Sequence, residues 1–432
     1  MMKKAAVHNL GCKVNSYELD VMVQELCHAG YQMVPFEEKA DLYLVNTCSV
    51  TSIADRKSRQ MLHRAKHLNP EALVIAVGCY VETDRKRLEE DPLVDLCIGN
   101  NRKAGIAEIV KSYLEGRMEE KETCANLTDH PVFESMQLEA PGRTRADIKI
   151  QDGCNQFCTY CIIPYARGRV RSLPLESAVQ EARKLAAEGY REIVVNGIEI
   201  SSWGWEWHDG SCLRQLLTAL CAAVPEVRIR LGSLEPRTID EEFCRALSGF
   251  RNLCPQFHLS LQSGSDPVLK RMNRKYDTAR YYESVRLLNE YFPGCAVTTD
   301  LIVGFPGESE ASFEESLAFI RKCALTKVHI FPYSRREGTP ADKMPDQVPK
   351  AVKEARAARA AAVAAELEDA FHSALIGTVQ EVLFEQPEDG LYAGHAPNYA
   401  KVYVRSDEAL RNRTCRVRIT EPCREGVLGE LV

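Results

Sequence analysis

The chain has 432 residues, 45% of them apolar and 27% charged, with a formal net charge of −6. This predicts two or three globular domains and excludes a disordered tail, a collagen-like fibre or a small disulfide scaffold. The acidic total excludes a protein that grips nucleic acid with its whole surface, so any such contact must come from local basic patches. No apolar run is long enough to cross a bilayer, and His8 and Asn9 interrupt the first apolar stretch too early for a signal peptide; a cytoplasmic protein with no membrane partner is expected. Seventeen cysteines are many for a reducing compartment, where an excess points to metal or redox chemistry or to small buried side chains.

Over the first 110 or so residues, short apolar runs at 4–10, 42–46, 73–77 and 94–98 alternate with amphipathic stretches near 15–29, 52–68, 82–90 and 103–114. That alternation predicts an α/β domain built on a doubly wound parallel sheet. Cys12, Cys48 and Cys79 each fall just past the carboxyl end of a predicted strand, about one βαβ unit apart. Such ends share one edge of an open sheet, where ligands bind, so three distant thiols converge there. Three thiolates suit an iron–sulfur cluster with one open iron or an open zinc site, whereas a single buried cysteine is usually just a small apolar residue. Cys97 lies inside its strand and reads as core, and Cys27 and Cys124 have no partner pattern.

Residues 55–66 carry five Lys/Arg against one Asp just after Cys48, and Arg56, Lys57 and Arg59 are candidate phosphate contacts. A solvated helix face is the plain alternative. Residues 115–140 lose periodicity and read as a linker.

Asp152-Gly-Cys154-Asn-Gln-Phe-Cys158-Thr-Tyr160-Cys161 places three cysteines on one short loop. Such a loop can wrap a four-iron cluster and leave one iron free, while a structural zinc would need a fourth ligand that does not follow closely. The chain here resembles the radical S-adenosylmethionine (SAM) enzymes, whose signature this loop is. With Cys12, Cys48 and Cys79 upstream and Pro164-Tyr165-Ala166-Arg167-Gly168 downstream, it is similar to their methylthiotransferase family. Asn9 to Asn15, Asn46 to Thr51, Ala54-Asp55-Arg56-Lys57-Ser58-Arg59-Gln60, Leu259 to Ser265 and Lys270-Arg271-Met272-Asn273-Arg274 look most like the branch acting on N6-threonylcarbamoyladenosine in tRNA.

The resemblance implies two 4Fe–4S clusters, on Cys12/Cys48/Cys79 and on Cys154/Cys158/Cys161, with SAM on the second. It implies addition of a methylthio group to C2 of the modified adenosine beside the anticodon. SAM would serve there as methyl donor and radical source, and an external one-electron donor such as flavodoxin or ferredoxin would be needed. tRNA, and not DNA, is the expected partner. Isopentenyladenosine in tRNA, a ribosomal-protein aspartate, and a non-catalytic cluster-bearing redox sensor or zinc-binding RNA module are the rival readings. The domains implied are an N-terminal cluster domain over 1–114, a radical SAM domain over 141–371 and a TRAM domain over 372–432, flanking the 115–140 linker.

Six strand-like runs between 146 and 331 predict a partial (β/α)6 barrel, too short to close. By resemblance, Tyr160, Gly197, Ile198, Glu235, Gln262 and Phe305 line the SAM pocket, though ordinary turn chemistry would place the same residues there. Glu199 stands where this branch usually has histidine. Trp203, Trp205 and Trp207, beside His208, are expected to cover a flipped nucleobase or else to pack a lid onto its own domain. Arg167, Arg169 and Arg171 alternate as anion contacts or as a salt-bridged strand edge. After an alanine-rich helix at 349–372, short alternating runs predict a small β-barrel. Its local basic excess offers Lys401, Arg405, Arg416 and Arg418 to RNA phosphate, with Tyr399 beside them.

Overall fold

A computed structural model describes residues 3–118, 122–123, 127, 132–138 and 144–432. Much of the 115–140 linker, and Cys124, lie outside the described residues.

The N-terminal strands Lys4–Asn9, Leu42–Thr47, Leu73–Gly78 and Leu96–Ile98 pair in parallel, as expected for segments joined by helical crossovers. Gln32–Met33 and Glu122–Thr123 extend the two edges; strands of two residues carry no periodicity to announce them. Successive side chains enter opposite cores: Leu42 and Leu44 join one with Tyr17 and Met22, while Tyr43 and Val45 join the other with Leu62. Burial on both faces explains why these strands read as unbroken apolar runs. The single helix expected near 82–90 is instead two, Cys79–Thr83 and Arg85–Glu89, because Asp84 between them is non-helical (φ −144°, ψ 47°).

The strands Arg145–Asp152, Glu192–Gly197 and Arg228–Leu231 form one parallel set, edged by the antiparallel Arg171–Ser172. Gln256–Leu259, Ala296–Val303 and Lys327–Pro332 form a second, edged by Ser233–Leu234. Ile229 joins the sets, donating its N–H to the Asn252 carbonyl at 2.7 Å and accepting from the Cys254 N–H at 2.8 Å. The result is an open six-stranded partial barrel, whose outer side chains (Ile148, Val195, Leu259 and Leu301) pack under surrounding helices in the largest core. The short helix Asp266–Arg271, not expected from periodicity, interrupts the βα pattern after Gln256–Leu259.

Helix Lys350–Leu375 leads into a closed barrel ordered Val379–Glu388, Leu391–His395, Lys401–Val404, Gly426–Leu431, Thr414–Cys423. It docks on the start of the barrel strands: Arg228 donates to the His395 and Glu381 carbonyls at 3.1 and 2.7 Å, Arg230 to the Pro397 carbonyl at 3.0 Å, and Arg145 pairs with Glu385.

Helix Lys13–His28 packs against the barrel helix Leu175–Ala187, where Tyr17 Oη lies 3.2 Å from Glu181 Oε1. Burial pushes the Glu181 carboxyl up from 4.5 to about 7, so the folded protein holds a proton that the unfolded chain releases across that range. Stability should therefore fall as pH rises from about 4.5 to about 7, by at most about 3 kcal/mol. Glu181→Gln keeps the neutral shape and should remove that loss in denaturant titrations at pH 5 and pH 8. An unchanged pH response would refute this.

Candidate active site

Each cysteine of the first trio sits where a strand hands over to a helix. Cys12 caps helix Lys13–His28, Cys48 follows strand Leu42–Thr47, and Cys79 opens the helix after strand Leu73–Gly78. Cys48 and Cys79 are buried and Cys12 is exposed. Gly11 is required here: at φ +116° its missing Cβ would lie 3.2 Å from Cys48 Sγ. Burial pushes the Cys48 thiol up to about 11, and its neighbours Cys79 and Cys12 add to the shift, so the three thiols share one neighbourhood. Asn15 Oδ1 lies 3.9 Å from Cys12 Sγ, and Asn100 Nδ2 lies 3.6 Å from Cys79 Sγ.

The second trio is held by its loop and by a clamp. Gly153, at φ +73°, turns the chain where any side chain would collide with the Arg169 carbonyl. Phe157 takes φ 49° within the loop, a conformation that persists only where the surroundings enforce it. The segment after helix Asp266–Arg271 supplies that enforcement: the Thr159 N–H donates to the Met272 carbonyl at 3.0 Å, and Asn273 Nδ2 to the Phe157 carbonyl at 2.9 Å. Arg274 Nη1 reaches Cys158 Sγ at 3.1 Å. Burial pushes the Cys161 thiol up to about 12, and raises Cys154 as well, with their sister cysteines adding to both. The sequence offered Lys270–Arg274 only as a family signature; its work on the cysteine loop depends on a tertiary contact that spacing does not reveal.

Among the described residues, no group of three or more His, Cys, Asp or Glu side chains is arranged to hold a metal ion as it stands. Each trio offers three thiols that would release their protons on binding a metal group, the donor chemistry that a three-thiolate cluster uses.

Residues expected around SAM do not all line open space. Tyr160 meets Phe305 edge-on at 6.4 Å, but Phe305 is fully buried against Tyr333, so it backs Tyr160 instead of lining a pocket. Gly197 ends strand Glu192–Gly197 and Ile198 follows it, both half-buried, and Gln262 sits at φ 68° beyond strand Gln256–Leu259. Glu235 caps a short turn and binds Arg237 Nε at 2.9 Å. With Ser201, Trp205 and Arg237 it lines a cavity of about 380 Å³. Glu199 lies close by: burial, then the Glu235 charge, raises its carboxyl, and its Oε2 has no hydrogen-bond partner among the described residues.

The structure separates the readings that three stretches of sequence left open. The tryptophan loop is not a nucleobase cover made of three rings: Trp203 is 1% exposed, donates to the Leu173 carbonyl at 2.8 Å and stacks edge-on with Trp207, leaving Trp205 alone exposed. Arg167 and Arg171 are buried ion-pair members with no access to an RNA phosphate, and only Arg169 is exposed, over the Phe157 ring. Lys401 is tied to Glu388 and Glu425 at 2.8 and 2.6 Å and Arg59 binds Tyr80 Oη at 2.6 Å, whereas Arg56, Lys57, Arg405, Arg416 and Arg418 are exposed. Tyr399 stacks on His395 at 4.6 Å beneath Arg145 and Arg230, so it serves the docking of the terminal barrel.

Between the trios lies one buried ion network. Glu18 of the N-terminal domain meets Lys149 Nζ at 2.7 Å and Arg167 Nη1 at 2.9 Å from the barrel, and also its own domain's Lys103. Asp152, two residues before Cys154, meets Lys149 at 2.8 Å, Arg167 at 3.1 Å and Arg171 at 3.0 Å. Burial would raise the Glu18 carboxyl, but Arg167, Lys103 and Lys149 outweigh it and hold it far below the ordinary range. A second bridge joins Arg336 of the barrel to Asp55 at 2.5 Å.

The Radical SAM superfamily model matches residues 148–320, and that of Uncharacterized protein family UPF0004 matches residues 4–99. The threonylcarbamoyladenosine tRNA methylthiotransferase MtaB of Bacillus subtilis (strain 168) is 38% identical across 100% of this chain and 97% of its own. The protein of that name from Aquifex aeolicus (strain VF5) is 39% identical across 82% of this chain and 86% of its own. The chain belongs to the radical SAM methylthiotransferases. The tRNA-2-methylthio-N(6)-dimethylallyladenosine synthase of B. subtilis is 33% identical across 100% of this chain and 86% of its own. The fold is also that of the radical SAM methyltransferase TsrM from Kitasatospora setae, with TM-score 0.59 at 15% identity, covering 86% of this chain and 90% of TsrM. Membership makes the chain an enzyme that uses SAM and two 4Fe–4S clusters, against the sensor and zinc-module readings. No helix among the described residues is long and apolar enough to cross a membrane.

Trp203→Ala should cost about 3–5 kcal/mol in urea titrations, as for a large buried aromatic, and Trp205→Ala within about 0.5 kcal/mol. Equal losses at the two positions would contradict the burial difference.

Proposed function

We propose that this methylthiotransferase adds a methylthio group to C2 of N6-threonylcarbamoyladenosine next to the anticodon of tRNA. The observation that carries the reading is end-to-end similarity to proteins named for that reaction, stronger than to the dimethylallyladenosine enzymes: 38% against 33% in the same bacterium. Cys12, Cys48 and Cys79 hold the first cluster and Cys154, Cys158 and Cys161 the second. With SAM bound, the two clusters would supply the one-electron chemistry and a site to hold the sulfur that an unactivated aromatic C–H demands, since it offers no acid, base or leaving group. The protein's part is placement. The Lys270–Arg274 clamp fixes the second cysteine loop, and the Glu18–Arg167–Asp152 network holds the two trios beside one another. Glu235 and Gln262, at neighbouring strand ends, orient SAM. The base must leave its stack to reach them. An external one-electron donor in the cytoplasm, such as flavodoxin or ferredoxin, supplies the electron.

Nucleoside mass spectrometry of tRNA from cells with and without the gene tests the substrate: the 2-methylthio form of threonylcarbamoyladenosine should vanish. Loss of the dimethylallyl product instead would move the chain to the other branch. In anaerobically reconstituted protein, Cys158→Ala should abolish 5′-deoxyadenosine formation, and Cys48→Ala should retain it without methylthio product. Full product from Cys48→Ala would refute the division of roles.

The exposed Arg405, Arg416 and Arg418 are the phosphate contacts of the terminal barrel. Reversing all three to Glu should weaken tRNA binding and flatten the plot of log K against log salt by about 1 per lost contact. Lys401→Ala, already ion-paired within the barrel, should change that slope less. An unaltered slope in the triple variant would place the RNA elsewhere.

A further inference from the structure

The ion network between the trios is not balanced within itself. Lys103, Lys149, Arg167 and Arg171 face Glu18 and Asp152, and none of these six is more than 3% exposed. Glu134, whose charge also acts on Lys149 and Lys103, has its carboxyl raised by its own burial, so it neutralises one cation at most. Cationic excess away from water is costly unless an anion lies close. The structure points to where that anion belongs. Arg167 Nη2 donates to Asn15 Oδ1 at 2.6 Å, the same oxygen that lies 3.9 Å from Cys12 Sγ. Asn100 Nδ2 donates to the Ala166 carbonyl at 2.7 Å while lying 3.6 Å from Cys79 Sγ. Arg167 Nε is buried with no acceptor among the described residues. Two amide side chains thus lock the Ala166–Arg167 segment against the first trio, and an orphaned guanidinium N–H is left over.

Three thiolates outnumber the positive charge of an oxidised four-iron core, and reduction adds one more negative charge, so net charge and hydrogen bonding at the sulfurs set the potential. We propose that Arg167 is a positioning residue for the first cluster: carried on the loop of the second cysteine trio, its guanidinium keeps the potential around Cys12, Cys48 and Cys79 positive, and so makes a cluster there easier to reduce. The inference rests on the reading of those three cysteines as cluster ligands. It also gives the segment after Cys161 a second task, since displacing it would strip the first site of its counter-charge.

The test uses the full chain with Cys154, Cys158 and Cys161 all replaced by Ala, reconstituted anaerobically, so that only the first cluster loads. Redox titration followed by electron paramagnetic resonance then reads one centre. Adding Arg167→Met should lower its midpoint potential by an amount equal to a tenfold or greater change in the reduced-to-oxidised ratio, about 59 mV for one electron. Glu18→Gln, which removes a negative charge from the same network, should raise it, and Arg167→Lys should restore a value near that of the unsubstituted arginine. A merely structural tie between domains would not move the two variants in opposite directions. Shifts of the same sign, or none, with about four irons still bound per chain, overturn the proposal. Should Arg167→Met fail to fold, Glu18→Gln decides alone: a raised midpoint potential supports the proposal, and a lowered or unmoved one overturns it. Failure of the triple-Ala chain to bind iron would instead overturn the ligand reading on which this rests.

Discussion

A buried cluster of opposite charges determines how the two larger halves of this protein meet. Glu18 comes from the first helix of the N-terminal sheet, and Lys149, Asp152, Arg167 and Arg171 come from the first barrel strand and the cysteine loop. Exposed ion pairs contribute little to stability, but a buried set such as this is strongly destabilised when any one member is removed, because the remaining charges are then unpaired away from water. The network therefore works as a registration device. It permits one relative placement of the halves, and that placement sets the strand ends of one sheet beside those of the other.

The chemistry of the cysteines follows from that geometry. Both domains are parallel, and parallel strands deliver their carboxyl ends to a single edge. In the N-terminal sheet three separate strand ends each contribute one sulfur, whereas in the barrel one loop contributes all three. The first arrangement is rigid because each cysteine is anchored by its own strand. The second is a loop and needs an external brace, which Asn273 and Arg274 provide through Phe157 and Cys158. Two different structural solutions thus present the same donor set.

Much of this was legible in the sequence, and the exceptions share a cause. The N-terminal strands were visible as nearly unbroken apolar runs and the barrel strands as shorter, interrupted ones, and the placement of the six cysteines because strand ends and loop spacing are local properties. What could not be read depends on partners distant in the chain. Arg167, Arg169 and Arg171 alternate like any edge strand; nothing local says that Glu18, far upstream, will bury the first. Trp203 and Phe305 sit on turns that look functional, yet one hydrogen-bonds to the Leu173 carbonyl and the other fills a small satellite core behind the cysteine loop. Two-residue strands such as Gln32–Met33 are invisible because so few residues cannot show a period.

The way the terminal barrel is held has its own consequence. Arg228 and Arg230 grasp the carbonyl oxygens of Glu381, His395 and Pro397, groups that every amino acid carries. A grip on the main chain is indifferent to side-chain identity, so apart from the side-chain partners Glu385 and Tyr399 the gripped segments can drift in sequence without loosening the joint. Selection is left free to rewrite the outer surface of that module while its seat on the catalytic body stays fixed.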